Sequence, residues 1–318
     1  MRLFRLGDQA PLGLRAPAVT IGNFDGVHRG HQALVRLVVE RARGQGGEAV
    51  VLSFDPHPAR VLAPERAPAA LTTAAQKQEL LATLGVDVLA VLPFTRELAA
   101  QSPETFVSGV LVSVLSARQV VVGDSFRFGR GQSGDVARLR ELGSRGGFSI
   151  EALSPLLDGG QPVSSSRVRE ALAAGEVAAA ERLLGRAYFV DARVGRGEGR
   201  GRTIGVPTAN LEPENEIVPA RGVYAGRCRL PDGSWRGAVV NRGRRPTFGG
   251  VGETLEAHLL DFEGELVGAT LRLAFVARLR EERRFPGAAE LVAQIREDIA
   301  QAQAWLSRGA GLGSEKGL

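Results

Sequence analysis

The feature that most limits what this chain can become is a change of rhythm near Gly185. Before it, short apolar runs alternate with amphipathic segments. After it, strand-like runs follow one another with only turns between them. The early apolar runs are "APAVTIG", "EAVVLSF", "VDVLAVLPF", "RQVVVGD" and "FSIEAL". Between them lie a helical pattern through Leu34, Leu37 and Val38, then "TAAQKQELLATLG" with Thr72 or Thr73 as N-cap and Gly85 as stop. "SPETFVSGVLVSVL", with proline in its first turn, and "GDVARLRELGSRG" complete the set. Strands joined through helices pair in parallel, so this half predicts an α/β domain, a doubly wound, Rossmann-like parallel sheet with helices on both faces.

"YFVDARV", "GVYAGRCRL", "SWRGAVVN", "ETLEAHLLDF" and "TLRLAFVARLR" follow, separated by turns such as "PDG" and "FEGE". That pattern predicts a small antiparallel β-barrel, closed by the helix "GAAELVAQIREDIAQAQAWL". The expected domains are 1–184 and 185–306, with 307–318 a disordered tail. Length agrees, because 318 residues exceed the roughly 250–300 at which one core stops growing.

Composition removes several classes. A single cysteine, Cys228, excludes an internal disulfide framework and a cysteine-based zinc site. No signal segment or apolar run of membrane length is present, so a cytoplasmic protein with no membrane partner is expected. The sequence pI of 10.2 overstates the basicity. Formal net charge is only +5, and 20 basic residues fall on either side of the Gly185 boundary. Without a basic tail or an aromatic-interleaved patch, nucleic acid is not an expected partner. Lys77 and Lys316 are the only lysines, and no G-x-x-x-x-G-K-[ST] occurs, so the chain is not a P-loop enzyme. A monomer or weak homo-oligomer is expected.

The first candidate site is "GNFDGVHRGHQ", where a strand ends near Gly22 and a helix begins near Gly30. Gly22, Gly26 and Gly30 allow close backbone approach, and a helix N-terminus offers free N–H groups to an anion. His28 and His31 therefore stand where a polyphosphate would lie, with Asn23, Phe24 and Asp25 beside them. As imidazolium ions or as N–H donors they would neutralise charge that builds on phosphorus and departing pyrophosphate. The plain alternative is that the histidines cap and pack; a zinc site lacks further ligands nearby. "SFDPHP" contributes Phe54, Pro56, His57 and Pro58 at the same sheet edge, or a simple turn. "GDSFRFGRG" brings Asp124, Phe126, Phe128 and Arg130; either phenylalanine could stack on a planar ligand or pack the core. "SSSRVRE" sets serines at a helix start with Arg167 in the first turn, another anion-binding arrangement.

The histidine stretch resembles the nucleotidyltransferase superfamily, whose H-x-G-H pair stabilises attack on the α-phosphate of ATP. That resemblance implies that Ser165 and Arg167 meet the far phosphates. Taken in order and spacing, Gly22–His31, Phe54–Pro58, Gly123–Gly129 and Ser164–Arg169 are similar to the N-terminal module of bacterial bifunctional riboflavin kinase/FAD synthetases. The implied acceptor is FMN, with Phe54 to Pro58 and Asp124 to Arg130 on the flavin side.

The second half carries "GRGEGRGRTIGVPTANLE". Its glycines, Gly199 and Gly201 among them, could cradle phosphates, with Arg200 and Arg202 supplying charge. A mobile hairpin is the plain alternative. Thr208 and Asn210, at i and i+2 of an extended segment, point the same way and could hold one Mg²⁺ with ATP phosphate oxygens. Glu256 shares a strand face with His258 and Leu260 and could accept the proton of an attacking alcohol, or be an ordinary exposed glutamate. The order "GRGRT.G.PTAN", "GVY", "N.G.RPTFGG" and "TLE.HL.DF.G.L.G" resembles the riboflavin kinase module of the same family. This implies Mg²⁺ on Thr208 and Asn210 and Glu256 as the base. One departure lies at Asn241–Thr247, "NRGRRPT" where the family usually has "NIGTRPT", so that Arg242 and Arg244 are expected to be surface changes or to alter a loop near nucleotide or flavin; Arg196, where histidine is frequent, is a smaller one.

The expectation is thus an enzyme that converts riboflavin to FMN with ATP and Mg²⁺, then FMN and ATP to FAD and pyrophosphate. Its rivals are a protein with one inactive domain, an adenylyl- or cytidylyltransferase for a pantetheine or nicotinamide substrate, and a non-catalytic flavin carrier or single-strand-binding barrel.

Overall fold

The computed structural model describes residues 1–7, 11–197, 205–247 and 250–308, with the backbone alone at 245–247, 250–251, 288 and 308. The chain divides into two compact units: Met1–Ala69 with Ala74–Ser164, and Ala70–Thr73 with everything described from Ser165 onward.

The first unit is a six-stranded sheet of β1 (Arg2–Arg5), β2 (Ala18–Ile21), β3 (Ala49–Asp55), β4 (Val88–Pro93), β5 (Gln119–Gly123) and β6 (Ser149–Leu153). The order is β1-β4-β3-β2-β5-β6 and every pairing is parallel. The connecting helices are α1 (Arg29–Gly44), α2 (Pro58–Leu62), α3 (Ala74–Thr83), α4 (Arg96–Ala99), α5 (Pro103–Phe106) and α6 (Val136–Gly146). Alternation along the strands splits the buried residues between two cores. Val19, Ile21, Val50, Leu52, Val120 and Val122 join Leu111 and Leu139. Ala18, Ala49, Val51, Leu89 and Val121 join Val35, Val38 and Leu81. Side chains of period two on fully buried strands explain the unbroken apolar runs and the helices on both faces.

The chain moves outward from β2 through β3 to β4, then returns to lay β5 on the other side of β2. That reversal opens a crevice at the carboxyl ends of β2 and β5, where ligands of open α/β sheets bind. Three details were not foreseen. β1 adds an edge strand on β4. A short hairpin of β7 (Leu157–Asp158) and β8 (Gln161–Pro162) precedes Ser164. The helix that starts at Pro103, capped by the Ser102 side chain, widens into a π-helical stretch over Val107–Val114.

The second unit opens with α7 (Ser165–Ala174) and α8 (Val177–Leu184). A closed barrel follows: β9 (Tyr188–Gly195), β10 (Ala209–Pro213), β11 (Gly222–Arg229), β12 (Trp235–Thr247), β13 (Gly250–Leu259) and β14 (Thr270–Arg280). Its strand order is β10-β13-β12-β11-β14-β9. Paired residues Tyr224, Val240 and Ala257 are all fully buried and fill the interior, as do Cys228 and Leu273. The opposite faces of β11, β12 and β14 present Val223, Ala225, Val239 and Ala277, which α9 (Ala288–Arg308) covers with Ala302, Ile299 and Leu306. Buried ion pairing fixes that helix, because Arg280 donates two hydrogen bonds to Asp298 at 2.8 and 2.7 Å.

Asn241–Thr247 is strand, not the loop that was one of its two expected settings. It continues β12, antiparallel to β13 from Asn241↔Glu256 to Thr247↔Gly250. Arg242 turns its guanidinium onto the carbonyls of Val218 and Pro219 and the carboxylate of Glu253, which also receives Arg221 at 2.8 Å. A charged side chain at this position is accommodated because its donors meet acceptors on all sides. The tail expected at 307–318 lies, after Arg308, outside the described residues.

Candidate active sites

β2 hands the chain to a tight turn. Phe24 adopts a left-handed backbone, Gly26 has φ 77°, and Asp25–Val27 form one 3₁₀ turn before α1. His28 is the N-cap of α1, and its Nδ1 accepts the His31 N–H at 3.3 Å. The two imidazoles stack with centroids 3.6 Å apart and planes 16° from parallel. Phe24 is fully buried beneath them, its ring 5.1 Å from that of His31. A side chain at position 30 would carry its Cβ to 3.2 Å from the His28 ring, so Gly30 leaves the room that the stack occupies.

This geometry chooses between the two chemical forms left open by the sequence. A ring whose Nδ1 accepts a hydrogen bond carries its proton on Nε2 and is neutral. Burial first, then the neighbouring His28 ring, which a second positive charge would repel, and the Lys77 ammonium push the His31 imidazole well below the ordinary histidine range. Both rings are therefore N–H donors rather than cations in the free protein. His31 Nδ1 is buried and finds no hydrogen-bond partner among the described residues.

Around the pair, the Asn23 amide lies 3.1 Å from His57 Nε2. His57 caps α2 with Nδ1, which accepts the Ala59 N–H at 3.1 Å. Ser53 Oγ donates to the Asn23 carbonyl at 3.3 Å. Phe54 packs edge-on against Phe94, with centroids 5.7 Å apart, while Pro56 and Asp55 are exposed across a cis bond and Pro58 opens α2. Beyond β5, Phe128 belongs to the core, and Phe126 stacks on it at 5.5 Å and stays half-buried. Asp124 and Arg130 are exposed.

The structure thus brings Gly22, Asn23, His28, His31 and His57 to one end of the sheet, with Phe24 as their apolar floor. Asp25 is buried beside them, with only 6 % of its surface exposed. Ser165 opens α7 and Arg167 stands in its first turn, both within the second unit. Sequence reasoning missed Lys77. Its helix, α3, packs on the 3₁₀ turn, and its ammonium is in electrostatic reach of Asp25, Asp55 and His31. Burial lowers its pKa, an effect that the two aspartates oppose. The available signal was its rarity, since no other lysine precedes position 316.

In the barrel unit a cavity of about 860 Å³ lies between the Val194–Gly197 segment, Pro207–Asn210 and the Phe262–Val267 turn. Thr208 and Asn210 both line it. Asn210 is the direct cross-strand partner of Glu256, which in turn faces Asn241 on β12. Directly opposed residues share a sheet face with Cβ atoms about 4.5–5.5 Å apart. Gly197 passes so close over Asn210 that a Cβ there would sit 1.8 Å from Nδ2. Thr208 and Asn210 bring uncharged, oxygen-bearing side chains to the cavity wall, which Arg196, Glu263 and Glu265 also line, and Glu256 stands across from Asn210. Gly199, Arg200, Gly201 and Arg202 lie outside the described residues.

A switch-point crevice with histidines at a helix start in one unit, and a barrel with a glycine-bearing cavity in the other, are arrangements of the kind that phosphate-handling enzymes use. Comparison with known proteins agrees. Residues 13–167 match the family model for FAD synthetase, and residues 184–306 match that for riboflavin kinase. The bifunctional riboflavin kinase/FMN adenylyltransferase of Escherichia coli K12 is 41% identical over 286 residues, covering 88% of this chain and 90% of that one. Its namesake from Pseudomonas fluorescens is 42% identical over 291 residues, covering 91% and 93%. The one from Haemophilus influenzae is 37% identical over 307 residues, covering 96% and 100%. A solved structure called a macrolide-efflux protein, from Streptococcus pneumoniae, superposes with a TM-score of 0.88 at 27% identity, covering 96% and 100%. Among the described residues no helix is long and apolar enough to cross a membrane. The chain belongs to the bifunctional riboflavin kinase/FMN adenylyltransferase family.

Proposed function

We propose a division of labour for the two reactions of this family, riboflavin to FMN and FMN to FAD. In the barrel unit the 5′-hydroxyl of riboflavin attacks the γ-phosphorus of ATP, the bond to the bridging oxygen breaks, and FMN and ADP leave. Glu256 accepts the hydroxyl proton as the new P–O bond forms. Thr208 and Asn210 would hold Mg²⁺, because their oxygens suit a hard cation that keeps waters and phosphate oxygens as its other ligands. When bound, the ion neutralises charge between the phosphates. Gly197 and Gly195 admit the nucleotide close to the backbone.

In the sheet unit a phosphate oxygen of FMN attacks the α-phosphorus of a second ATP, and pyrophosphate departs. His28 and His31 donate hydrogen bonds to the oxygens on which charge builds, and the N-terminus of α1 adds its free N–H groups. Lys77 supplies a positive charge behind them. His57 holds Asn23, and the half-buried Phe54 and Phe126 offer flat surfaces near the flavin side. Phosphoryl and nucleotidyl transfer need little beyond such positioning and charge neutralisation.

The observation that carries this reading is the stacked, neutral histidine pair at the sheet's switch point, in a chain whose other unit sets Asn210 opposite Glu256. The test is product analysis with riboflavin, ATP and Mg²⁺. His28→Ala with His31→Ala is expected to abolish FAD while FMN still accumulates. Glu256→Gln is expected to abolish FMN formation from riboflavin while supplied FMN is still converted to FAD. FAD synthesis by the first variant, or normal FMN formation by the second, removes those residues from their roles.

A further inference from the structure

His258 has no part in the chemistry above, although it shares a strand with Glu256. Its Nδ1 lies 2.8 Å from the carbonyl oxygen of Pro207. A carbonyl only accepts, so the ring donates from Nδ1–H, and it can do so whether neutral or protonated. The position of the bond matters more than its strength. β10 meets β13 through two pairs only, Ala209↔Ala257 and Asn210↔Glu256. In an antiparallel ladder the next pair would set Thr208 against His258, but the strand begins at Ala209. The His258 side chain takes over where the ladder stops, and grips the chain one residue before Thr208.

Upstream of that grip, Gly205 turns with φ +76°. Downstream, Thr208 and Asn210 line the cavity. Among the described residues, the Pro207 segment therefore has the His258 side chain as its anchor between a turn and the two residues whose oxygens must face the nucleotide.

We propose that His258 is a positioning residue of the kinase site, whose hydrogen bond to the Pro207 carbonyl fixes Thr208 and Asn210 against the cavity that takes the ATP phosphates. This rests on assigning that cavity to riboflavin phosphorylation. Loss of the bond frees the segment without removing any group that touches the reacting atoms, so binding of ATP suffers more than the chemical step.

The test compares His258→Ala, His258→Asn and His258→Gln in the full chain. The asparagine Nδ2 sits where the histidine Nδ1 does and can reach the Pro207 carbonyl; the longer glutamine carries its amide past that point. His258→Ala is expected to raise the ATP KM of FMN formation about tenfold, the worth of one positioned hydrogen bond, with kcat much less changed. His258→Asn is expected to restore most of that loss and His258→Gln is not. Conversion of supplied FMN to FAD serves as the folding control and is expected to be unchanged in all three. A wild-type ATP KM in His258→Ala overturns the proposal. So does an equal loss in the alanine and asparagine variants, which would mark the ring as packing only. Failure of the underlying assignment is distinguishable, because Thr208→Ala would then also leave the ATP KM of FMN formation at its normal value.

Discussion

At the scale of single residues, the free protein keeps a charge-poor pair where a phosphate-binding site suggests cations. His28 accepts from the backbone of His31, and His31 is depressed by burial and by its neighbours. The unfolded chain protonates His31 near ~6.5, whereas the folded one resists. Stability is therefore expected to fall as pH drops below ~6.5, by up to about 1.4 kcal/mol per pH unit from this group. Thermal unfolding from pH 7.5 to 5 would show it, with a flatter profile in His31→Gln. A second residue-scale expectation concerns Gly197. A methyl group there meets Asn210 Nδ2 at 1.8 Å, so backbone or amide must move on the order of 1 Å. Gly197→Ala is expected to lower kcat/KM for FMN formation about 100-fold. Adenylylation of supplied FMN would be unaffected, because the glycine belongs to the barrel unit.

Among the elements, β12 and β13 show how a local substitution is absorbed. Arg242 and Arg244 stand two apart on a paired strand, so their side chains leave the same face of it. Arg242 points to Val218, Pro219 and Glu253, and the Glu253 carboxyl is held below its ordinary range by Arg242 first and Arg221 second. Arg244 is exposed, and its N–H donates to Glu282 at 3.2 Å. Replacing Arg242 by the more usual isoleucine leaves two carbonyls and a carboxylate short of a donor. Arg242→Ile is expected to cost about 1–3 kcal/mol in urea unfolding, with Glu253→Gln partly offsetting the loss in the double variant. An additive double variant would show that the two side chains do not act together.

For the molecule as a whole, the histidine pair and Glu256 lie in separate compact units, and FMN is the product of one reaction and the substrate of the other. A mixture of the His28→Ala/His31→Ala protein with the Glu256→Gln protein is therefore expected to make FAD from riboflavin, which neither does alone. FMN would appear in solution first, with a lag before FAD, as chromatography of timed samples would show. No FAD from the mixture would mean that FMN does not pass freely between molecules.

Much of this protein was legible without coordinates. The change from alternating to purely strand-like runs separated a parallel sheet from an antiparallel barrel, because hydrophobic period and connection length determine which pairings are possible. Glycines beside histidines, and a threonine and asparagine two apart, marked both candidate sites because phosphate chemistry needs close backbone and hard or N–H ligands. Tertiary structure decided the rest. Whether the histidines are cations or neutral donors depends on burial and a backbone N–H, and neither is written in the residue types. Which phenylalanine packs the core, why "NRGRRPT" is strand, and how Lys77 and His258 reach their sites all depend on partners distant in sequence. Such contacts form only after the strands have chosen their neighbours, and a linear pattern carries no distance between them.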